Sequence, residues 1–256
     1  MSTPASAARF SNRVEDYVRF RPGYPPALLE WLHGEQQVPR HVPVADIGAG
    51  TGISSQFLLA AGHPVTAVEP NAGMRAAAER WLGPAHPGFR AVEGTAEATG
   101  LADASIDLVS VAQAFHWFDT AAVRHEWKRI LVPGGRVLVF WNSRLLDASP
   151  FLRGYEQLLL DFGTDYSAVA ERYQDDAWMR GWFAGGLQAI GHFPNVQMLD
   201  FDALRGRLLS SSYAPVAGEP KHEPMVAALR GLFNAHAVDG RVAFEYQTRA
   251  FLGTLD

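Results

Sequence analysis

Val44-Ala45-Asp46-Ile47-Gly48-Ala49-Gly50-Thr51-Gly52 is the stretch from which the fold follows. A short apolar run ends at an acid and passes directly into three glycines separated by single residues, and a helical pattern starts at Ile53. Glycine admits positive φ and leaves the backbone bare for a ligand to approach. The first turn of a helix offers N–H groups with no intrahelical partner, which suit the polar or anionic end of a ligand. Strand, glycine loop and helix in that order predict a nucleotide-cofactor loop. The dinucleotide fingerprint G-x-G-x-x-G, counted from Gly48, requires glycine at position 53; this chain has Ile53 there and its third glycine at Gly52. The pattern is acid-x-G-x-G-x-G instead.

Working outward, the 256 residues are 48% hydrophobic and 19% charged, the balance of a globular chain able to build one sizeable core. A net charge of −5 without any basic block excludes the electrostatic footprint of a nucleic-acid partner. The absence of cysteine removes disulfides, thiolate nucleophiles and cysteine metal sites together. The histidines show no H-E-x-x-H spacing, so no metal is expected. Met1 to Phe20 lacks the apolar core of a signal peptide and carries Glu15 and Asp16. No run of about 18 apolar residues suggests a membrane span. These features lead to the expectation of a cytoplasmic monomer or homodimer acting on a small molecule.

From about residue 42 to 143 strand-like and helix-like runs alternate. Strands are predicted at Pro43 to Ile47, Pro64 to Val68, Phe89 to Glu93, Ile106 to Ala112 and Arg136 to Trp141. Between them, Ile53 to Ala61 reads as a helix. Asn71 caps another, with Met74, Ala77, Ala78, Trp81 and Leu82 along one face, and Asp119 caps a third. Such alternation implies a parallel sheet with right-handed crossovers. After Asn142 the pattern breaks into an aromatic-rich helical stretch. Strand character returns at Val196 to Phe201 and at Arg241 to Leu252, with a helix from Glu223 to His236 between them. The expected fold is α/β: a doubly wound, Rossmann-like, seven-stranded, mostly parallel sheet with helices on both faces. It forms one domain, with an N-terminal lid over about 9–34, a core over about 40–143 and 189–256, and an inserted helical cap over about 144–188.

The glycine loop, with Asp46 two places ahead, resembles motif I of the class I S-adenosylmethionine-dependent methyltransferases. Val68-Glu69-Pro70, Glu93-Gly94-Thr95-Ala96-Glu97, Asp107 to Val111 and Leu131-Val132-Pro133-Gly134-Gly135 follow in the order of that family's later motifs. Arg21-Pro22-Gly23-Tyr24-Pro25, Gln113 to Phe118 and Leu209 to Tyr213 are similar to segments of the trans-aconitate-type small-molecule group within it. The resemblance implies S-adenosylmethionine as donor and S-adenosylhomocysteine as product. The implied activity is O-, N- or carboxylate methylation of a small molecule; a donor-binding sensor without transferase activity is the alternative.

Each implied site residue also has a reading from its own chemistry. Glu69 is placed to accept hydrogen bonds from both ribose hydroxyls, as the acid of dinucleotide folds does. Gly48, Ala49, Gly50 and Gly52 form the loop. Asp46 orients the loop amides or receives the donor's amino group; its bland reading is a buried acid capping N–H groups. Pro70 follows the ribose acid. Met74 packs on the ribose–adenine edge or in plain core. Thr95 stands where many relatives carry an acid, leaving the Ala96 amide and the Glu97 side chain to meet adenine; Thr95 is equally a good helix N-cap. Gln113 and His116 fall at the sheet's carboxyl edge. His116 is the catalytic candidate, as proton acceptor or as partner to a substrate oxygen, against a histidine stacked between aromatics. Trp117 and Tyr24 join it as candidate substrate contacts. Tyr17 and Arg21 are the lid candidates, with Arg21 pairing with the donor's carboxylate. Arg144 and Arg153 leave a carboxylate acceptor open.

Overall fold

The computed structural model describes residues 20–166 and 174–255. α1 (Pro26–Glu30) runs on into a π-type turn, Trp31–Glu35, and leads to β1 (Val44–Ile47). α2 (Ile53–Ala60), β2 (Val65–Val68), α3 (Ala72–Leu82) and β3 (Phe89–Val92) follow. β4 (Ile106–Ala112), a 3-10 turn at Phe115–Trp117, α4 (Ala122–Ile130) and β5 (Leu131–Arg144) complete the alternating part. Then come α5 (Pro150–Phe162), α6 (Asp176–Phe183), β6 (Leu187–Leu199), α7 (Phe201–Leu209), α8 (His222–His236) and β7 (Val242–Gly253).

The seven strands make one sheet in the order β3-β2-β1-β4-β5-β7-β6. Pairs among β1 to β5 are parallel, and β7 runs antiparallel to both β5 and β6. This is the doubly wound, mostly parallel sheet that the alternation implied. Chain order reverses between β1 and β4, so the connections leaving their carboxyl ends diverge and open a crevice there.

Alternation along the central strands explains why both faces are covered. Val137, Val139 and Trp141 of β5 enter one core with Trp127 of α4 and Met179, Trp182 and Phe183 of α6. Leu138 and Phe140 enter the opposite core with Leu28, Leu32, Leu58 and Leu82 from the helices of the other layer. The caps form as their side chains require. Asn71 Oδ1 accepts from Met74 N at 3.1 Å, and Asp119 Oδ1 accepts from the Ala121 and Ala122 amides, each at 3.1 Å.

Four expectations change. β5 begins at Leu131 and ends at Arg144, longer at both ends than the predicted Arg136 to Trp141. Pro133-Gly134-Gly135 loops out where pairing shifts from Ile106–Leu131 to Leu108–Arg136, with Gly134 at φ 78°. β6 covers Leu187–Leu199 instead of Val196 to Phe201. Gly191 and Pro194 disfavour a strand locally, yet β6 is an edge strand, where proline is tolerated. Phe201 instead opens α7, which Asp200 caps by accepting from Ala203 N at 2.8 Å; the periodicity did not announce this helix. Trp81 is 41% exposed rather than part of the α3 core face.

The outer helical layer is also composed differently from the stretch 144–188. α5 packs with α7 and α8, and with Phe244 and Tyr246 of β7, as a third core beyond the end of the sheet. α6 joins the main sheet core instead. Among the described residues no helix is long and apolar enough to cross a membrane, and no cluster of three or more His, Cys, Asp or Glu is arranged to hold a metal.

Candidate functional site

A cavity of about 390 Å³ lies over the carboxyl ends of the central strands. One end is built by short loops. Gly48, Gly50 and Gly52 have φ of 67°, 57° and 92°, the left-handed region that favours glycine. Gly48 N donates to Val68 O at 2.8 Å, which ties the loop to β2. A Cβ on Gly48 would stand 2.8 Å from Ala114 Cβ, so the loop passes the end of β4 too closely for a side chain. Gly48, Ala49 and Gly50 line the cavity and Gly52 does not. A Cβ on Gly52 would meet Leu82 Cδ1 at 2.7 Å, so this glycine serves the packing of the loop on α3.

Glu69, at the end of β2, lines the cavity beside Pro70 and Met74. Its Oε2 accepts from Gly50 N at 3.0 Å and its Oε1 from Asn71 N at 2.9 Å. Burial pushes its carboxyl above the ordinary value, and the Asn71 and Gly50 amides with nearby Arg75 oppose that push. Each oxygen keeps acceptor capacity beyond one amide bond. Met74 is 6% exposed and also forms cavity wall, so its two readings coincide.

Asp46 lies beneath the loop, fully buried, and does not line the cavity. Its Oδ2 accepts from Ser54 Oγ at 2.6 Å and Ser55 Oγ at 2.7 Å, fastening β1 to the first turn of α2. Burial pushes its carboxyl up to about 6 against these serine hydroxyls. Its hydrogen-bond partners are serine hydroxyls of α2 rather than loop amides.

Thr95 and Ala96 line the cavity. Thr95 Oγ1 accepts from Ala98 N at 3.2 Å, the local turn expected of a capping residue. Glu97 is turned elsewhere: its Oε1 accepts from Asp119 N at 3.1 Å and it is not on the cavity wall, which corrects its expected adenine contact.

At the end of β4, Gln113 has φ 58° and lines the cavity with His116 and Trp117. A non-glycine residue in this region is strained and tends to occur where a site is assembled. The His116 ring lies 4.7 Å from that of Trp117, tilted by 45°, and lines the cavity. Tyr24 lines the cavity while its ring meets Phe140 edge-on at 4.6 Å. Arg21 reaches the same wall and donates from Nη2 to Ser210 O at 3.1 Å. Tyr17 lies outside the described residues.

The other end of the cavity is lined by Asn142, Ser143 and Arg144 of β5, Tyr166, Arg207 of α7, Ser212, Tyr213 and Tyr246. Asn142 Oδ1 accepts from Thr248 Oγ1 at 2.6 Å, and its amide donates to Gly23 O at 3.1 Å, tying the entering segment to the sheet. Arg144 donates from Nη2 to Glu156 Oε2 and to Tyr166 Oη. Arg153 is exposed and donates to Asp147 O, away from the cavity.

Residues 45–139 match a family model described as a methyltransferase domain. An uncharacterized methyltransferase of Mycobacterium tuberculosis is 42% identical over 136 residues, 53% of this chain and 52% of that protein. This chain thus spans about half the length of such curated relatives. A methyltransferase-like protein of Schizosaccharomyces pombe is 32% identical over 224 residues, covering 86% of this chain and 84% of its own. This chain belongs to the class I S-adenosylmethionine-dependent methyltransferases. A putative type II methyltransferase from Anaeromyxobacter dehalogenans shares the fold with a TM-score of 0.68 at 23% identity, covering 92% of this chain and 98% of that one.

The donor of the family is S-adenosylmethionine, and the cleft of this chain suits it. Bare backbone at Gly48 and Gly50, a carboxylate with spare lone pairs at Glu69, and an apolar slot beside Met74 and Ala96 match an amino-acid end, a ribose and a base. Ser143, Tyr166, Arg207 and Tyr246 also line the cavity and carry no motif in the sequence; the faint signals are the adjacent Leu209 to Tyr213 segment and the aromatic content of the stretch that holds Tyr166.

Proposed function

We propose that this chain transfers the methyl group of S-adenosylmethionine to a small organic acceptor and releases S-adenosylhomocysteine. The observation that carries the reading is Glu69, whose two oxygens already hold the Gly50 and Asn71 amides at the mouth of the glycine loop. So anchored, the carboxylate faces the cavity as a rigid acceptor for paired hydroxyls, and charge-assisted bonds of this kind are roughly twice as strong as neutral ones. The donor's sulfonium supplies an electrophilic methyl group and a neutral thioether leaving group.

The protein's own work is binding and alignment. Gly48, Ala49 and Gly50 give the amino-acid end a close backbone, with Arg21 as partner to its carboxylate. Pro70, Met74, Thr95 and Ala96 hold the base. Gln113, set in its strained conformation, closes the wall between donor and acceptor. The segment near Tyr24 excludes water. Holding two reactants in line is worth about 7–11 kcal/mol of barrier. His116, with Trp117 beside it, meets the acceptor. As the new bond to the methyl carbon forms, an alcohol or amine acceptor gives up a proton, for which His116 Nδ1 or Nε2 is the receiver; a carboxylate has none to lose. A cysteine-free chain suits a cytoplasmic setting and a freely diffusing acceptor.

Calorimetric titration with S-adenosylhomocysteine, followed by transfer of labelled methyl from the donor to candidate acceptors, tests the reading. Binding abolished in Glu69→Ala supports it. Undiminished binding in that variant contradicts it.

A further inference from the structure

Among the described residues, the far end of the cleft carries more buried positive charge than its acids neutralise. Arg207 lines the cavity and is 6% exposed. Its Nε donates to Tyr246 Oη at 3.1 Å and its Nη1 to Ser211 Oγ at 3.3 Å. Its guanidinium lies 5.4 Å from the centre of the Phe244 ring and 6.0 Å from that of Tyr246. Among the described residues no carboxylate pairs with Arg207, and its Nη2 makes no hydrogen bond.

Arg144 stands on the same wall, with Nη2 engaged by Glu156 and Tyr166. Its Nη1 is buried without a partner among the described residues, and so is Tyr155 Oη. Tyr155 is 1% exposed and lies under Arg144, whose guanidinium is 5.3 Å from its ring. Among the described residues Glu156 is the one carboxylate that pairs with either guanidinium, and it pairs with Arg144. The surrounding groups, Tyr155, Tyr166, Tyr213 and Tyr246, are phenols. Burial pushes the Tyr213 phenol up, yet Arg207 and Arg21 outweigh it and leave the group below its ordinary value, a sign of the net positive field. Buried donors without acceptors and a buried cation without an anion are costly unless something completes the set.

The geometry points to an oxyanion subsite at Arg207, which seats a carboxylate carried by the methyl acceptor. This deepens the methyl-transfer reading and rests on it. Among the described residues Glu156 pairs with Arg144 and Arg207 has no carboxylate, a single positive charge that one monoanion balances, whereas a phosphate dianion leaves negative charge stranded among phenols. A guanidinium flanked by aromatic rings also presents a flat fork suited to a planar carboxylate. Arg21 is not counted in this balance, because the donor's own carboxylate is its proposed partner.

The test titrates the protein, with and without S-adenosylhomocysteine, with benzoate, acetate, their neutral amides and phenylphosphonate. Benzoate is expected to bind roughly tenfold or more tightly than benzamide, with acetate preferred over acetamide in the same sense. Arg207→Met is expected to erase both preferences while affinity for S-adenosylhomocysteine stays. Arg207→Lys keeps the charge without the fork and is expected to retain a reduced preference; it carries the test if the methionine variant does not fold. Equal binding of acid and amide, no binding of the acids, or an undiminished preference in Arg207→Met overturns the subsite. Tighter binding of phenylphosphonate than of benzoate overturns its assignment to a carboxylate. A failure of S-adenosylhomocysteine to bind the parent protein strikes the methyl-transfer reading instead, and the anion titrations without it are read on their own.

Discussion

The two ends of the cleft are built from different materials. The end at Gly48, Glu69 and Thr95 consists of short loops, each leaving a strand within a few residues, and it works through backbone amides and one carboxylate. The end at Arg144, Tyr166, Arg207, Tyr213 and Tyr246 consists of side chains delivered by β5, α7, β7 and the segments after α5 and α7. Backbone geometry changes little with substitution, so the first end suits one fixed partner. Side chains that face the cavity are exchanged with less disturbance than backbone, so the second end suits an acceptor that defines this chain. The rigidity of the first and the charge of the second are separable by experiment.

The largest separation is expected from Glu69→Ala. Losing two charge-assisted bonds lowers S-adenosylhomocysteine affinity by about a hundredfold or more, measured by calorimetry, while benzoate binding at the Arg207 end is retained. Parallel loss at both ends would falsify their independence.

Asp46→Asn comes next and probes the support beneath the first end. The folded state raises this carboxyl to about 6, so the native protein binds its proton where the unfolded chain has already released it. That contribution to stability is present at low pH and is lost as pH rises from about 4 to about 6. The parent protein should lose on the order of 3 kcal/mol relative to the variant across that window, followed by denaturant unfolding at each pH. Parallel pH profiles for the two proteins would contradict an ionisable buried Asp46.

Gly52→Ala should be felt in the fold rather than in either ligand. Its Cβ would press on Leu82 at a left-handed φ, at a cost of about 2 kcal/mol of unfolding free energy. A variant of parental stability would mean that α3 yields at this contact.

The smallest effect is expected at the seam between the ends. His116→Ala should keep donor affinity and lower turnover by about tenfold if the residue only positions the acceptor. A fall of a hundredfold or more in single-turnover rate assigns it the proton instead.

The donor end was legible before any coordinates because its determinants are local. Asp46, the glycine loop, Glu69 and Thr95 each sit within a few residues of a strand that alternation reveals. Even so, three roles needed packing to resolve. Gly52 faces Leu82, Asp46 faces serines, and Glu97 turns to the Asp119 amide. Spacing along a chain cannot tell a glycine needed for a ligand from one needed for a neighbouring helix.

The acceptor end was scarcely legible. β5 was ended at Trp141, which hid the register that carries Asn142 to Arg144 onto the wall. The predicted strand ends on Phe201, the first residue of α7, and the pattern assigns nothing to 202–208, so Arg207 has no element to stand on. Gly191 and Pro194 obscured β6 because their cost depends on lying at a sheet edge, which is a property of strand order.

The sequence by itself determined the parallel α/β wind, the strand after which the glycine loop falls and the acid that accompanies it, because periodicity and turn chemistry act over a few residues. The tertiary structure alone decided that Arg144 and Arg207, 63 positions apart in the chain, share one buried wall, where among the described residues only Arg144 is paired with a glutamate. Charge balance in a cavity is a sum over everything that surrounds it, and no local stretch of the chain contains that sum.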